Sequence, residues 1–156
     1  MAAAAPRVDF YVLPGSEPRA RLKFACRIAE QAYLADQHVF VWLDDAIELQ
    51  TFDELLWSFA DRSFVPHETF GDVQQWQDTP ILLGFQAQPL QSFDLLLNLG
   101  NDVPAAAAHA GRIAEIVDAE EPRRRAGRNR FRHYRELGLT PETHNIAADD
   151  TPERPP

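Results

Sequence analysis

Val39-Phe40-Val41-Trp42-Leu43 is an unbroken run of five apolar residues. A strand wetted on one face alternates apolar with polar, so a continuous run marks a strand buried on both faces, as in a sheet covered by helices. The flanking segments supply such helices. Upstream, Arg19 to Asp36 carries Leu22, Ala25, Ile28, Ala29, Ala32 and Tyr33 at amphipathic helical spacing. Before it, Arg7 to Leu13 (RVDFYVL) reads as a first strand, closed by a turn at Pro14, Gly15 and Pro18. Downstream, Asp44 to Phe59 returns to helical spacing and reads as two helical pieces. Asp44 or Asp45 caps the first, and Thr51 caps the second with Glu54 three positions on.

The remainder repeats the alternation. Phe64 to Asp78 is an irregular connection. Ile81 to Gln86 and Phe93 to Asn98 are short apolar runs joined through a turn at Pro89. Ala105 to Ala110 reads as a short helix and Ile113 to Val117 as a last strand. Glu120 to Leu137 reads as a basic helix stopped by Gly138. Pro141 onward is polar and reads as a loose end. The expectation is one α/β domain over residues 1–143, a three-layer sandwich with a mostly parallel sheet, followed by an acidic, Pro-rich tail over 144–156.

Composition narrows the function classes. With 156 residues, 45% of them hydrophobic, the chain suits one domain with a real core. The single cysteine, Cys26, excludes a disulfide within the chain and fits a reducing cytoplasm. The start lacks the basic and apolar regions of a signal peptide, and no run approaches the roughly 20 apolar residues of a membrane helix. The chain is therefore expected to be soluble and cytoplasmic. A net charge of −9 argues against a general DNA-coating surface, which needs Lys and Arg for the phosphates. The charge is uneven, however. Lys23 is the only lysine, and seven arginines fall between 123 and 135. An acidic body with one basic helix suits a local anion site.

The usual catalytic and cofactor signatures are missing. Pro14-Gly15-Ser16-Glu17-Pro18, after the first strand, is neither G-x-G-x-x-G nor a P-loop, and Glu17 repels phosphate. His38, His67, His109, His133 and His144 form no zinc spacing. Cys26 sits mid-helix among apolar neighbours and reads as a structural thiol. Asp44-Asp45 and Asp53-Glu54 stand at helix starts, where carboxylates satisfy free N–H groups and the helix dipole. No cofactor, metal or catalytic residue is assigned.

Two constellations stand above this background. Arg124, Arg128, Phe131 and Arg135 are spaced four, three and four apart, and at about 100° per residue they share a stripe about 60° wide. Ala126, Arg130, His133, Tyr134 and Leu137 are left to face the sheet, with the stem of Arg130 along apolar surface. Guanidinium forks grip carboxylates in bidentate fashion, and the ring supplies an apolar wall. An acidic peptide with a hydrophobic end matches that surface. The same spacing also serves a solvated basic helix paired with neighbouring acids, or a nucleic-acid contact. Gly127 weakens the helix by about 1 kcal/mol. The second constellation is Phe52-Asp53-Glu54-Leu55-Leu56-Trp57 followed by Ser63-Phe64-Val65-Pro66-His67. Aromatic residues beside a rigid proline suit an interface anchor, and they equally suit ordinary core filling.

These blocks carry a resemblance. Phe10-Tyr11-Val12-Leu13, then Phe52 to Trp57, then Ser63 to His67, then Arg130-Phe131-Arg132-His133-Tyr134-Arg135-Glu136-Leu137-Gly138 resemble, in order and spacing, the chi subunit family of bacterial DNA polymerase III, from about Val8 to Thr143. The resemblance implies a fold like a mononucleotide-binding domain without a phosphate loop. It implies a non-catalytic adaptor bound to the psi subunit of the clamp loader and to the acidic C-terminal tail of single-stranded DNA-binding protein (SSB). DNA would be reached only indirectly, and a repair helicase is a further partner class. By matching position, the SSB-tail site is Val117, Arg124, Arg128, Phe131, Arg135 and Thr143. The psi-facing patch is Trp57, Phe64, Val65, Pro66 and His67. The family carries Tyr where Phe131 stands and Leu where Phe52 stands, and residues 69–78 and 147–156 offer no family anchor. The competing reading is a small α/β nucleotide-binding protein or enzyme, with its ligand at the carboxyl ends of the strands.

Overall fold

A computed structural model describes residues 5–59, 65–71 and 79–147. Among the described residues, seven strands form one sheet: β1 (Arg7–Val12), β2 (Val39–Trp42), β3 (His67–Thr69), β4 (Ile81–Gly84), β5 (Phe93–Asn98), β6 (Ala110–Val117) and β7 (Glu142–Asn145). Their order is β3-β4-β2-β5-β6-β1-β7, and every pairing among the described residues is parallel. The described residues also hold the helices α1 (Pro18–Leu34), α2 (Ala46–Ser58) and α3 (Glu121–Glu136), with a short 3-10 helix at Ala105–His109.

The run at 39–43 occupies the sheet interior, and Val39, Phe40, Val41 and Leu43 are fully buried. Its side chains divide between the faces as strand geometry requires. Val39, Val41 and Leu43 join α1 and α2 in one apolar cluster. Phe40 and Trp42 join Phe10, Val117, Phe131 and Tyr134 in the other, beneath α3. Each such side chain contributes about 1.5–3 kcal/mol relative to exposure. The three-layer expectation holds, with a sheet more uniformly parallel than expected. Cys26 is buried on the inward face of α1, where burial pushes its thiol up, away from the reactive thiolate.

Several local expectations are corrected. Residues 46–58 form one helix rather than two pieces. Asp45 caps it, accepting from the Glu48 amide at 2.8 Å, while Thr51 lies inside and donates to the Ile47 carbonyl. Within the expected connection, His67–Thr69 pairs with β4 as an edge strand. β6 begins at Ala110, three residues earlier than expected, because its opening Ala110-Gly111-Arg112 carries no β-branched or apolar run to mark it. The polar stretch after Pro141 forms β7, held by parallel pairing with β1, so the expected boundary at 143/144 falls within a strand. Residues 148–156 lie outside the described residues.

Gly138 adopts φ +85°, the left-handed conformation that ends α3 and turns the chain toward β7.

Candidate functional site

Helix α3 is fixed to the sheet by a buried polar cluster. Glu115 on β6 is fully buried. It accepts from Arg130 Nε at 2.8 Å, from the Tyr134 hydroxyl at 2.6 Å and from Asn98 Nδ2 at 2.9 Å. Arg130 also donates to the Asn101 carbonyl at 2.9 Å. Burial and the Glu115 carboxylate push the Tyr134 hydroxyl far up, so it stays a donor. At the helix start, Arg123 donates twice to Asp118, at 2.8 Å each, and meets Glu120 at 2.6 Å.

Arg130 and Tyr134 face inward as expected, but they are joined by Gly127 and the half-buried Arg123 in place of the expected Ala126, His133 and Leu137. His133 and Leu137 are exposed and Ala126 is half-buried. Arg123 and Gly127 were missed because one is charged and the other has no side chain to add to an apolar pattern. The available signal was Glu115, a lone acid inside the apolar run Ile113 to Val117, which needs a buried partner. Gly127 proves to be a packing device. A Cβ there would meet Val117 Cγ2 at 2.9 Å, so the missing side chain lets α3 approach β6.

The Arg124–Arg135 stripe is rotated about 100° from the inward one, which sets it on the rim of the sheet. There it lines a groove of about 240 Å³ between α3 and the β1–β7 edge. Five of the six residues expected to act together, Val117, Arg124, Arg128, Phe131 and Thr143, border it with Phe10, Val12 and Gly127. Arg135 lines an adjoining hollow of about 520 Å³ that shares Arg128 and Phe131. The half-buried Phe131 ring packs on Phe10 at a centroid distance of 5.1 Å, so it is a fixed wall. Arg128 contacts Glu121 at 3.3 Å, with the two side chains 56% and 62% exposed. Such a pair contributes at most about 1 kcal/mol and exchanges readily. Among the described residues, Arg124 and Arg135 form no ion pair.

Thr143 reaches the groove from β7, whose attachment centres on Asp9. This fully buried carboxylate accepts from Arg112 Nε at 3.1 Å and meets His144 Nε2 at 2.8 Å, with Arg7 at 3.0 Å. The His144 ring stacks on Tyr11. Burial raises the Asp9 carboxyl, but hydrogen bonds from His144, Arg112 and Arg7 outweigh it and hold the group below its ordinary value. Asp9, Glu142 and His144 have ligand atoms close enough for a metal ion. Two guanidiniums already occupy Asp9, and their charge disfavours a cation there.

The second constellation divides. Val65 and His67 are 1% and 5% exposed and face inward. His67 contacts the Val65 carbonyl at 2.7 Å and the Asp53 carboxylate at 2.8 Å, and its ring lies 4.3 Å from that of Trp57. They brace Trp57, which is 44% exposed, beside the half-buried Pro66. Phe64 lies outside the described residues. Of the four described residues of this constellation's expected patch, Trp57 and Pro66 reach the surface while Val65 and His67 are buried.

The carboxyl ends of β2, β5 and β6 border a crevice of about 240 Å³ that includes Arg21, Asp44, Glu48, Asn101, Glu120 and Arg123. Burial pulls the Arg21 guanidinium down and pushes the Glu48 carboxyl up. Three carboxylates line this place, where a doubly wound fold would receive phosphates, and Arg123 is already engaged by Asp118.

Comparison with known proteins finds relatives over most of the chain. The family model described as DNA polymerase III chi subunit, HolC, matches residues 5–142. A DNA polymerase III subunit chi from Pseudomonas aeruginosa is 37% identical over 140 residues, covering 90% of this chain and 96% of the relative. That of Haemophilus influenzae is 26% identical, covering 91% and 99%. That of Escherichia coli is 24% identical, covering 78% and 82%. Among solved structures, a DEAD box protein from Methanococcus jannaschii superposes with a TM-score of 0.55 at 13% identity. The match covers 90% of this chain and 42% of that one, and concerns the α/β fold alone.

Proposed function

The chain belongs to the DNA polymerase III chi subunit family, and from that premise we propose that it is a non-catalytic adaptor joining the clamp loader to SSB through the acidic tail of SSB. The family makes it a component of DNA replication. The observation that supports the finer reading is the groove in which Arg124, Arg128, Phe131, Val117 and Thr143 converge. Arginines with weak partners or none supply charge for aspartates, and the fixed Phe131 ring beside Val117 receives an apolar terminal residue. An Arg fork takes the terminal carboxylate, since bidentate guanidinium–carboxylate pairs are the geometrically specific ones. Because the site is shallow and solvent-facing, its attraction is screened by salt and its affinity for one tail is modest. Many tails along an SSB-coated strand raise the local ligand concentration.

Trp57 and Pro66 are the surface through which psi, or a repair helicase in its place, meets the chain. An exposed tryptophan braced by His67 is an economical anchor, because its ring is already ordered before binding. The α/β nucleotide-binding alternative is disfavoured by the acids of the strand-end crevice.

Titrating a peptide of several aspartates followed by Pro-Phe tests the reading. Arg128→Ala should weaken binding about tenfold and leave the far-ultraviolet spectrum unchanged. Equal affinity of wild type and variant would remove the site.

A further inference from the structure

The last described residues lie beside the groove. The Ile146 amide donates to the Val12 carbonyl at 2.9 Å, which fixes the departing backbone beside a residue that lines the groove. The sequence continues Ala147-Ala148-Asp149-Asp150-Thr151-Pro152-Glu153-Arg154. Asp149 is three residues past Ile146, a reach of about 10 Å at roughly 3.3–3.6 Å per residue. Arg124 borders the groove together with Val12. It has no ion-pair partner among the described residues, and its neighbour Arg128 has only the exposed contact with Glu121. The chain segment that follows carries two adjacent aspartates and, one residue on, a proline, and it is tethered beside a groove lined by two guanidiniums. Its chemistry is that of the ligand assigned to the groove above.

We propose that the segment 148–153 is a competing occupant of this groove, a self-ligand that lowers the site's affinity for acidic peptides supplied by a partner. The inference rests on the groove being an acidic-peptide site. A short tether gives the segment an effective concentration on the order of millimolar. If its own affinity is of the same order, the groove is partly filled by self, and affinity for an outside peptide falls about two- to fivefold. An outside tail with an apolar end residue still wins, because the segment offers no aromatic side chain to the Phe131 wall. The self-ligand would thus reject acidic chains that lack that residue more strongly than it hinders the true partner.

The test compares the full chain, the chain truncated after Ala147, and the variant Asp149→Asn, Asp150→Asn, Glu153→Gln. The probe is a fluorescent Asp-Asp-Asp-Pro-Phe peptide, with amide resonances of Arg128 and Thr143 as a second readout. The expected result is about two- to fivefold tighter binding by both altered chains at low salt, a difference that vanishes at high salt, and shifted Arg128 and Thr143 amides on truncation. Equal affinities with unmoved amides would overturn the inference and leave the peptide site standing. Should the probe bind none of the three chains while truncation still moves those amides, the self-contact stands and the SSB-tail reading falls. No binding and no shift would overturn both.

Discussion

Arg130 Nε donates to Glu115 Oε1 at 2.8 Å, joining α3 to β6 through two side chains that are 6% and 0% exposed as residues. This contact sets the rotation of α3, and that rotation decides whether Arg124 and Arg128 meet the groove or solvent. Glu115→Ala leaves the Arg130 charge buried without its partner, a change that costs about 3–5 kcal/mol. Urea denaturation should show the loss as a fall in midpoint. An unchanged midpoint would mean that water reaches Arg130.

Gly127 gives a prediction whose sign separates two effects. On helix propensity alone, Gly127→Ala stabilises by about 1 kcal/mol. Against that, the new Cβ stands 2.9 Å from Val117 Cγ2 and 3.3 Å from its Cγ1, on a β-branched side chain in a buried strand. Overpacking of this kind costs about 1–3 kcal/mol. Net destabilisation is therefore expected, with acidic-peptide affinity reduced because α3 is displaced at the groove wall. Pairing it with Val117→Ala should relieve the clash, so the double variant should be more stable than the sum of the single changes predicts.

Phe131 and Arg135 should separate in their salt dependence. Phe131→Ala removes the apolar wall and is expected to weaken acidic-peptide binding about tenfold or more at any ionic strength. Phe131→Tyr keeps the ring against Phe10 and should retain the affinity. Arg135→Ala removes an exposed charge, so its effect should be clear at low salt and fade as salt is raised. Isothermal titration at two ionic strengths checks both. Equal salt slopes for wild type and Arg135→Ala would take Arg135 out of the site.

The legible parts of this chain were those where polarity and burial agree. The run at 39–43 announced a doubly covered strand because all its residues are apolar. The 124–128–131–135 stripe was legible because its spacing is helical and its chemistry unusual. Illegibility arose where burial is polar. Arg130 was legible as sheet-facing, but its buried partner Glu115 was not, nor was Asp9 with Arg7, Arg112 and His144, because charged residues inside a strand leave no apolar periodicity. β7 was hidden for a related reason. As an edge strand of Glu142, Thr143, His144 and Asn145, it is held by the backbone ladder and by His144 on Asp9, with no apolar alternation to reveal it. Val65 and His67 show the converse. A motif marked them as partner-facing, yet packing makes them a brace for Trp57.

The Asp9 cluster predicts how that edge responds to acid. The folded state holds the Asp9 carboxyl below its ordinary value, so the folded state binds this proton less readily than the unfolded chain does. By linkage, the resulting stabilisation is complete above the unfolded carboxylate value of about 4 and is lost as pH falls through the lower folded value. Asp9→Asn should therefore be less stable than wild type near neutrality, by about 1–3 kcal/mol for the lost charge-assisted hydrogen bonds. The gap should narrow as pH is lowered below about 4, where wild type surrenders the same contribution. Urea melts across pH 2.5–7 read this directly, and a gap independent of pH would show that Asp9 acts through shape rather than charge. Because His144 and Thr143 are neighbours on β7, loosening the Asp9–His144 contact should also speed hydrogen exchange at the Ile146 amide, whose acceptor is the Val12 carbonyl. The groove then loses its Thr143 wall before the domain unfolds, so acidic-peptide affinity should fall in Asp9→Asn at pH 7 while the far-ultraviolet spectrum stays native.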